Sequence, residues 1–215
     1  MKTNQTNPNR GPDASIAARE RKERTKPRFV RFSLRSLCSF AANLLLVLST
    51  ASASAATRYV WQSSPRPAPP YTTWATAAHV IQDAVDAAWA FDEIVVTNGT
   101  YATGGRAAGI DVSVNRVAVD QPLTLLSVNG PQFTVIQGYQ VPGTTNGDGA
   151  IRCVYLADGA SLSGFTLTNG ATANGESGAG VWCESANAVV SNCVLVGNSA
   201  GSGGGATGGT LNDCS

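Results

Sequence analysis

An all-β solenoid, in which short parallel strands coil on top of one another, is the fold this 215-residue sequence predicts. Three observations lead there. A motif recurs: Leu162-Ser163-Gly164-Phe165-Thr166-Leu167 is echoed by Val190-Ser191-Asn192-Cys193-Val194-Leu195, and Leu211-Asn212-Asp213-Cys214-Ser215 begins a third copy, at spacings of 28 and 21 residues. Inside each copy the apolar positions alternate (Phe165, Leu167; Cys193, Leu195), the period-2 pattern of a strand with one buried face. Glycine-rich corners, 178–182 and 203–206, separate the copies. Each copy is too short to bury a hydrophobic face alone, so it must stack on its neighbours.

No copy carries a 3.6-residue apolar stripe, which argues against arrays built from helices. A coil made of short strands and tight corners is a parallel β-helix, and equivalent residues of successive turns then lie about 4.8 Å apart. On that register Phe165, Cys193 and Cys214 form a stacked core, and Gly164, Asn192 and Asp213 share one outward position.

Residues 1–35 hold ten of the fifteen basic residues against three acids, and an apolar run follows at 37–48. Ala53-Ser54-Ala55 completes the pattern of a secretory signal peptide, occupying 1–55 with cleavage after Ala55. The apolar run falls short of the roughly 18–20 residues that span a bilayer. Once the leader is removed, five arginines face eleven acids with no lysine, a formal charge of −6. Such a surface does not suit nucleic acid.

Residues 56–73 form a Pro-rich lead-in with a possible strand at Tyr59-Val60-Trp61. The pattern then changes period over 73–90, where Ala77, Ala78, Ile81, Ala84, Val85 and Ala88 fall at helical spacing, predicting an amphipathic helix that caps the open end of the coil. Residues 74–215 are the capped coil. Strands are expected at 94–96, 110–119, 123–128, 134–136 and 154–156, with a projecting polar loop at 141–149. Counting from Ile94, about five coils fit at 20–28 residues each.

Three stretches carry a family resemblance: 162–170, the Gly178-Ala179-Gly180-Val181-Trp182 corner, and 192–200 with its following Gly203-Gly204-Gly205. The chain from Trp74 onward resembles the bacterial right-handed parallel β-helix repeat proteins of the pectin-lyase-like class. Gly197-Asn198-Ser199-Ala200 before the glycine run is more loosely similar to polymorphic outer-membrane protein repeats. The segment from Trp74 through Ala88 to Tyr101 is similar to that class's N-terminal cap and first coil, with Phe91-Asp92-Glu93 where Gly-Asp is common. The resemblance implies a right-handed coil, which also follows from the handedness of parallel crossovers. It is poor for activity, since that fold carries lyases, hydrolases, adhesins and inert stalks.

Candidate chemistry is sparse. Asp148, Arg152 and Asp158 are the weak catalytic candidates, acids and an arginine such as uronic-acid cleavage uses; Asp111, Arg116 and Asp120 form a second such group. None sits in a recognisable polygalacturonase or pectate-lyase arrangement, and solvated turn residues is the blander reading. His79, the single histidine, reads as a partly exposed residue of the cap helix. Asn98-Gly99-Thr100 is formally a glycosylation sequon and reads first as a turn. Cys153, Cys183, Cys193 and Cys214 could pair in three ways; parallel Cβ vectors oppose a Cys193–Cys214 bond, and Cys153 and Cys183 stay open. No cofactor is expected; calcium has no motif to hold it, and neither CxxC nor Cys/His spacing suggests another metal.

The expectation is therefore a secreted or cell-surface protein, non-catalytic, whose lateral face binds polysaccharide, cell-surface glycan or partners, without a transmembrane helix after signal cleavage. A polysaccharide lyase or glycoside hydrolase acting on acidic polysaccharide is the alternative, and a spacer within a longer surface protein the third. Because Ser215 falls inside a strand, the sequence also suggests a fragment of a longer array, with further coils or another chain against its last strands.

Overall fold

A computed structural model describes residues 55–109, 113–173 and 175–215. The leader up to residue 54, and Ile110 and Asp111 with it, lie outside the described residues. The described chain is nearly all β, and its sheets are mostly parallel, an arrangement compatible with a solenoid.

Strands are numbered along the chain and fall into three sheets. The first runs Thr57–Val60 (β1), Glu93–Val96 (β2), Thr124–Ser127 (β6), Ser161–Ser163 (β9), Val189–Ser191 (β12) and Thr210–Asn212 (β15). The second holds Gly99–Tyr101 (β3), Thr134–Gln137 (β7), Thr166–Thr168 (β10) and Val194–Val196 (β13). The third holds Arg106–Ala107 (β4), Val114–Val119 (β5), Ile151–Leu156 (β8), Val181–Cys183 (β11) and Ala206–Thr207 (β14). Every pairing is parallel except β4 with β5. From β2 onward the chain visits the sheets in turn, so each strand pairs with its counterpart one pass later.

In-register columns make the core. Ile94, Leu125, Leu162 and Val190 follow one another in the first sheet, and Leu211, which is exposed, continues the column. Their spacings of 31, 37, 28 and 21 residues exceed the expected 20–28 in the early passes. Tyr101, Ile136, Leu167 and Leu195 form the second column, and Val117, Val154, Val181 and Ala206 the third. One cluster of buried side chains draws on all three.

The recurrence of Gly164, Asn192 and Asp213 has a backbone cause. All three adopt left-handed angles, with φ of 83°, 48° and 51°. Each terminates a first-sheet strand and turns the chain toward the second sheet. Glycine is free there, and Asn and Asp are the side-chain-bearing residues that tolerate it best.

Two expectations need correction. The corners at 178–182 and 203–206 each lead into a short strand of the third sheet: Val181 is inward and fully buried, Trp182 outward. The cap is also smaller than the periodicity suggested, a six-residue helix α1 (Ile81–Asp86) behind a 3₁₀ turn at Trp74–Thr76. Tertiary pairing claims the residues between: Ala78 bridges Val60, and its carbonyl accepts the Trp61 N–H at 2.8 Å. His79 therefore lies before the helix, exposed, with Nε2 3.0 Å from the Ser64 carbonyl.

The short helix still closes an edge. Gln82 receives the Ala118 N–H on Oε1 at 2.7 Å and donates from Nε2 to the Ala118 carbonyl at 3.2 Å. Its amide thus stands in for a neighbouring strand beside β5. Gln82→Leu should orphan both backbone groups and cost about 1–3 kcal/mol; an unchanged urea midpoint would rule that role out.

Candidate functional site

The weak catalytic candidates do not converge. Asp148 is exposed on the 141–149 excursion between β7 and β8, and Asp158 is exposed on the turn after β8. Arg152, on β8, is completely buried. It donates to the carbonyls of Gly178 (Nε, 2.9 Å) and Ser177 (Nη2, 2.9 Å) and to Asn115 Oδ1 (Nη1, 2.8 Å). Six residues of extended chain put Arg152 and Asp158 about 20 Å apart along the strand. Of the second group, Arg116 is buried and donates to the carbonyls of Gln137 (2.8 Å), Gly104 and Gly138 (3.5 Å). Burial pulls its pKa below the ordinary arginine value. Asp120 stays exposed, 3.9 Å from Arg106. Reading Arg152 and Arg116 as solvated turn residues is thus corrected: both tie neighbouring passes together through carbonyls.

Among the described residues, no three His, Cys, Asp or Glu side chains come together in a way that could hold a metal ion. The four cysteines among the described residues are free thiols. Phe165, Cys193 and Cys214 occupy one position in successive passes: the Val194 N–H meets the Phe165 carbonyl at 2.9 Å, and the Ser215 N–H meets the Cys193 carbonyl at 3.1 Å. Cys153 and Cys183 are buried as well, and Cys153 Sγ lies 3.3 Å from the Thr168 carbonyl.

A buried acid escaped the sequence reading. Asp92 is 3% exposed and pairs with Arg58, with Oδ2 2.7 Å from Nη2. Its carboxylate also accepts the N–H groups of Trp89 (2.9 Å) and Ala56 (2.7 Å). Burial alone would raise its pKa; the Trp89 and Ala56 N–H groups and the Arg58 guanidinium outweigh that and leave it lowered. In the sequence Asp92 is visible only as part of Phe91-Asp92-Glu93, where the resembled class commonly has Gly-Asp. Arg58 stands 34 residues away, and no local spacing links the two.

What Asp92 holds is a loop with two of the largest exposed side chains, Trp89 at 78% and Phe91 at 75%. Phe91 has φ 73°, an uncommon angle for a bulky residue. Its N–H bonds the Pro122 carbonyl at 2.6 Å. Backbone bonds from Thr124 to Asp92, Ser161 to Leu123 and Val189 to Ala160 align this corner through four passes. Phe91, Pro122, Gly159 and Asn187 therefore follow one another down one ridge. At its far end Asp158 Oδ1 accepts from the Ser185 hydroxyl and from Asn187 Nδ2 (2.9 Å), and these bonds lower its pKa.

No family model, curated protein or solved structure matches the chain. The ridge has to be read from its own chemistry. It offers apolar ring faces at one end and a carboxylate, hydroxyl and amide at the other, two to three strand spacings or roughly 10–14 Å away. A second aromatic pair, Tyr155 with Trp182 at 5.3 Å, packs ring on ring over the third sheet, and Tyr155 is buried. That pair covers the sheet rather than presenting ring faces.

Two measurements follow. Arg152→Met should lose about 3 kcal/mol or more, because three acceptors lose their donor; stability within 0.5 kcal/mol of the parent, a rough threshold for a surface change, would contradict the buried role. The thiols supply a pH signature. Burial pushes Cys153 up to about 12 and Cys183 and Cys193 to about 11. Their contribution is complete below the unfolded thiol value of about 8.5 and is lost as pH rises through the folded values. Thermal melts should show stability falling from about pH 8.5 upward, and a flat profile there would contradict buried thiols.

Proposed function

We propose that the chain is an exported, right-handed parallel β-helix protein that binds glycan without turnover, along the corner ridge headed by Trp89 and Phe91. The coil reading is supported by strands that pair in parallel register from pass to pass, and the hand by the strong bias of parallel crossovers. Export is supported by the leader's charge and apolar pattern.

The observation that carries the binding reading is the exposure of two aromatic side chains, Trp89 and Phe91, on one loop pinned by a buried carboxylate. Sugar rings present C–H faces to aromatic planes and hydroxyls to polar groups, and the ridge supplies both within one flank. Acidic polysaccharide is the poorer ligand. The chain after Ala55 is lysine-free with a formal charge of −6, and Arg58, Arg116 and Arg152 are buried. The same burial takes Arg152 away from the lyase alternative, because an external polymer cannot reach its guanidinium.

Screening against an array of neutral and acidic glycans tests this. Binding to a neutral glycan, weakened at least about tenfold, or 1.4 kcal/mol, by Trp89→Ala and by Phe91→Ala, with unchanged melting temperature, is the expected result. Absence of binding to every glycan would leave the spacer reading in its place. Release of unsaturated uronate from polygalacturonate or alginate would establish the lyase instead.

A further inference from the structure

The Asp92 cluster sits against the residue that leader removal would expose. Ala56 is the first residue after Ala53-Ser54-Ala55, and its N–H lies 2.7 Å from Asp92 Oδ1. Its carbonyl accepts the Glu93 N–H at 3.0 Å, so the residue is already part of the β1–β2 ladder. The opposite carboxylate oxygen holds Arg58, and the side chains of that pair are 5% and 4% exposed. In the uncut chain the Ala56 nitrogen is a neutral amide. Hydrolysis of the Ala55–Ala56 bond adds one water, leaves a carboxylate on Ala55 and gives Ala56 a primary amine, which is protonated at neutral pH.

We propose that processing after Ala55 turns the Ala56 nitrogen into a second cation on Asp92, so that an amide hydrogen bond becomes an ion pair and the hold on β1 and the Trp89–Phe91 loop is strengthened in the mature chain. The inference rests on the export reading. It requires no movement, since the nitrogen already stands at bonding distance. It also gives a carboxylate that is itself nearly closed to water a second charged partner, at a part-buried nitrogen, and an opposite charge at this distance favours the ionised forms of both groups. The charged group that acts on the carboxylate is Arg58 on β1, and Glu93 adjoins it at the start of β2. Asp83 and Asp86 on α1 act instead on Tyr71, whose pKa burial raises and they raise further. Thr124, paired with Glu93 from β6, is uncharged.

The sequence makes this amine easy to observe. Residues 56–215 contain no lysine, so the α-amine of a chain cut after Ala55 is its single primary amine. The full 215-residue chain is exported from a bacterial host, its amino terminus sequenced, and the rate of amine acylation followed against pH in the folded protein and in urea. The expected product begins Ala56-Thr57-Arg58. In the folded protein its titration midpoint should lie at least about one unit above the ordinary 7.7–8.0 of an α-amine, slowing acylation near pH 8 about fivefold relative to the urea-unfolded chain. Burial without a counter-ion would move the midpoint the other way. Asp92→Asn should return the midpoint to the ordinary value or below; the folded-against-unfolded comparison of the parent decides the matter if that variant does not fold. A terminus at Ala56 with an unshifted or lowered midpoint overturns this inference and leaves export standing. A terminus elsewhere, or a retained leader, overturns both.

Discussion

Parallel pairing between successive passes is the constraint on which everything else in this molecule depends. Each strand carries between two and six residues, too few to bury a face or satisfy its own backbone. Hydrogen bonds must therefore go to the pass before and the pass after. Once that ladder is fixed in register, side chains 21–37 residues apart become neighbours, and the inward columns of Ile94, Leu125, Leu162 and Val190 close into one core. The polar corners align by the same rule. A ridge with aromatics at one end and hydrogen-bonding groups at the other is a by-product of stacking, with no local sequence motif behind it.

Polar groups in the interior are used where the ladder is interrupted. Gln82 supplies amide bonds to Ala118 beside β5. Arg152 and Arg116 bridge carbonyls at corners where strands of different passes part. A planar guanidinium with five donors suits that task, since it can serve three acceptors at once. Asp92 does the complementary work near the first strands of the described chain, collecting two backbone N–H groups and a guanidinium around one carboxylate. These buried polar residues hold backbone in place, which explains why the acids left on the surface do not gather with the arginines around a common cleft.

The inward alternation and the corner residues were legible in the sequence. Leu167 and Leu195 face inward because strand side chains alternate, and Gly164, Asn192 and Asp213 recur because few residue types accept a left-handed angle. Glycine misled in one place. Around Val181 and Ala206 the glycines marked corners correctly, but the two- and three-residue strands after them were too short to show an alternation. The cap was overextended for a similar reason: Ala77 and Ala78 fit a helical stripe, and only pairing with β1 drew them out of it.

By itself, then, the sequence determined the strand-rich class, the inward residues and the charge balance, because these follow from periodicity, turn stereochemistry and composition, all local properties. Only the tertiary structure decided the fate of the polar residues. Whether Arg152 met solvent or carbonyls, whether Asp92 met Arg58, and whether Trp89 and Phe91 stood clear of the core depended on partners dozens of residues away. Hydrogen bonds of that kind are directional and short-ranged, so they come into being only when the register of the passes has brought donor and acceptor together.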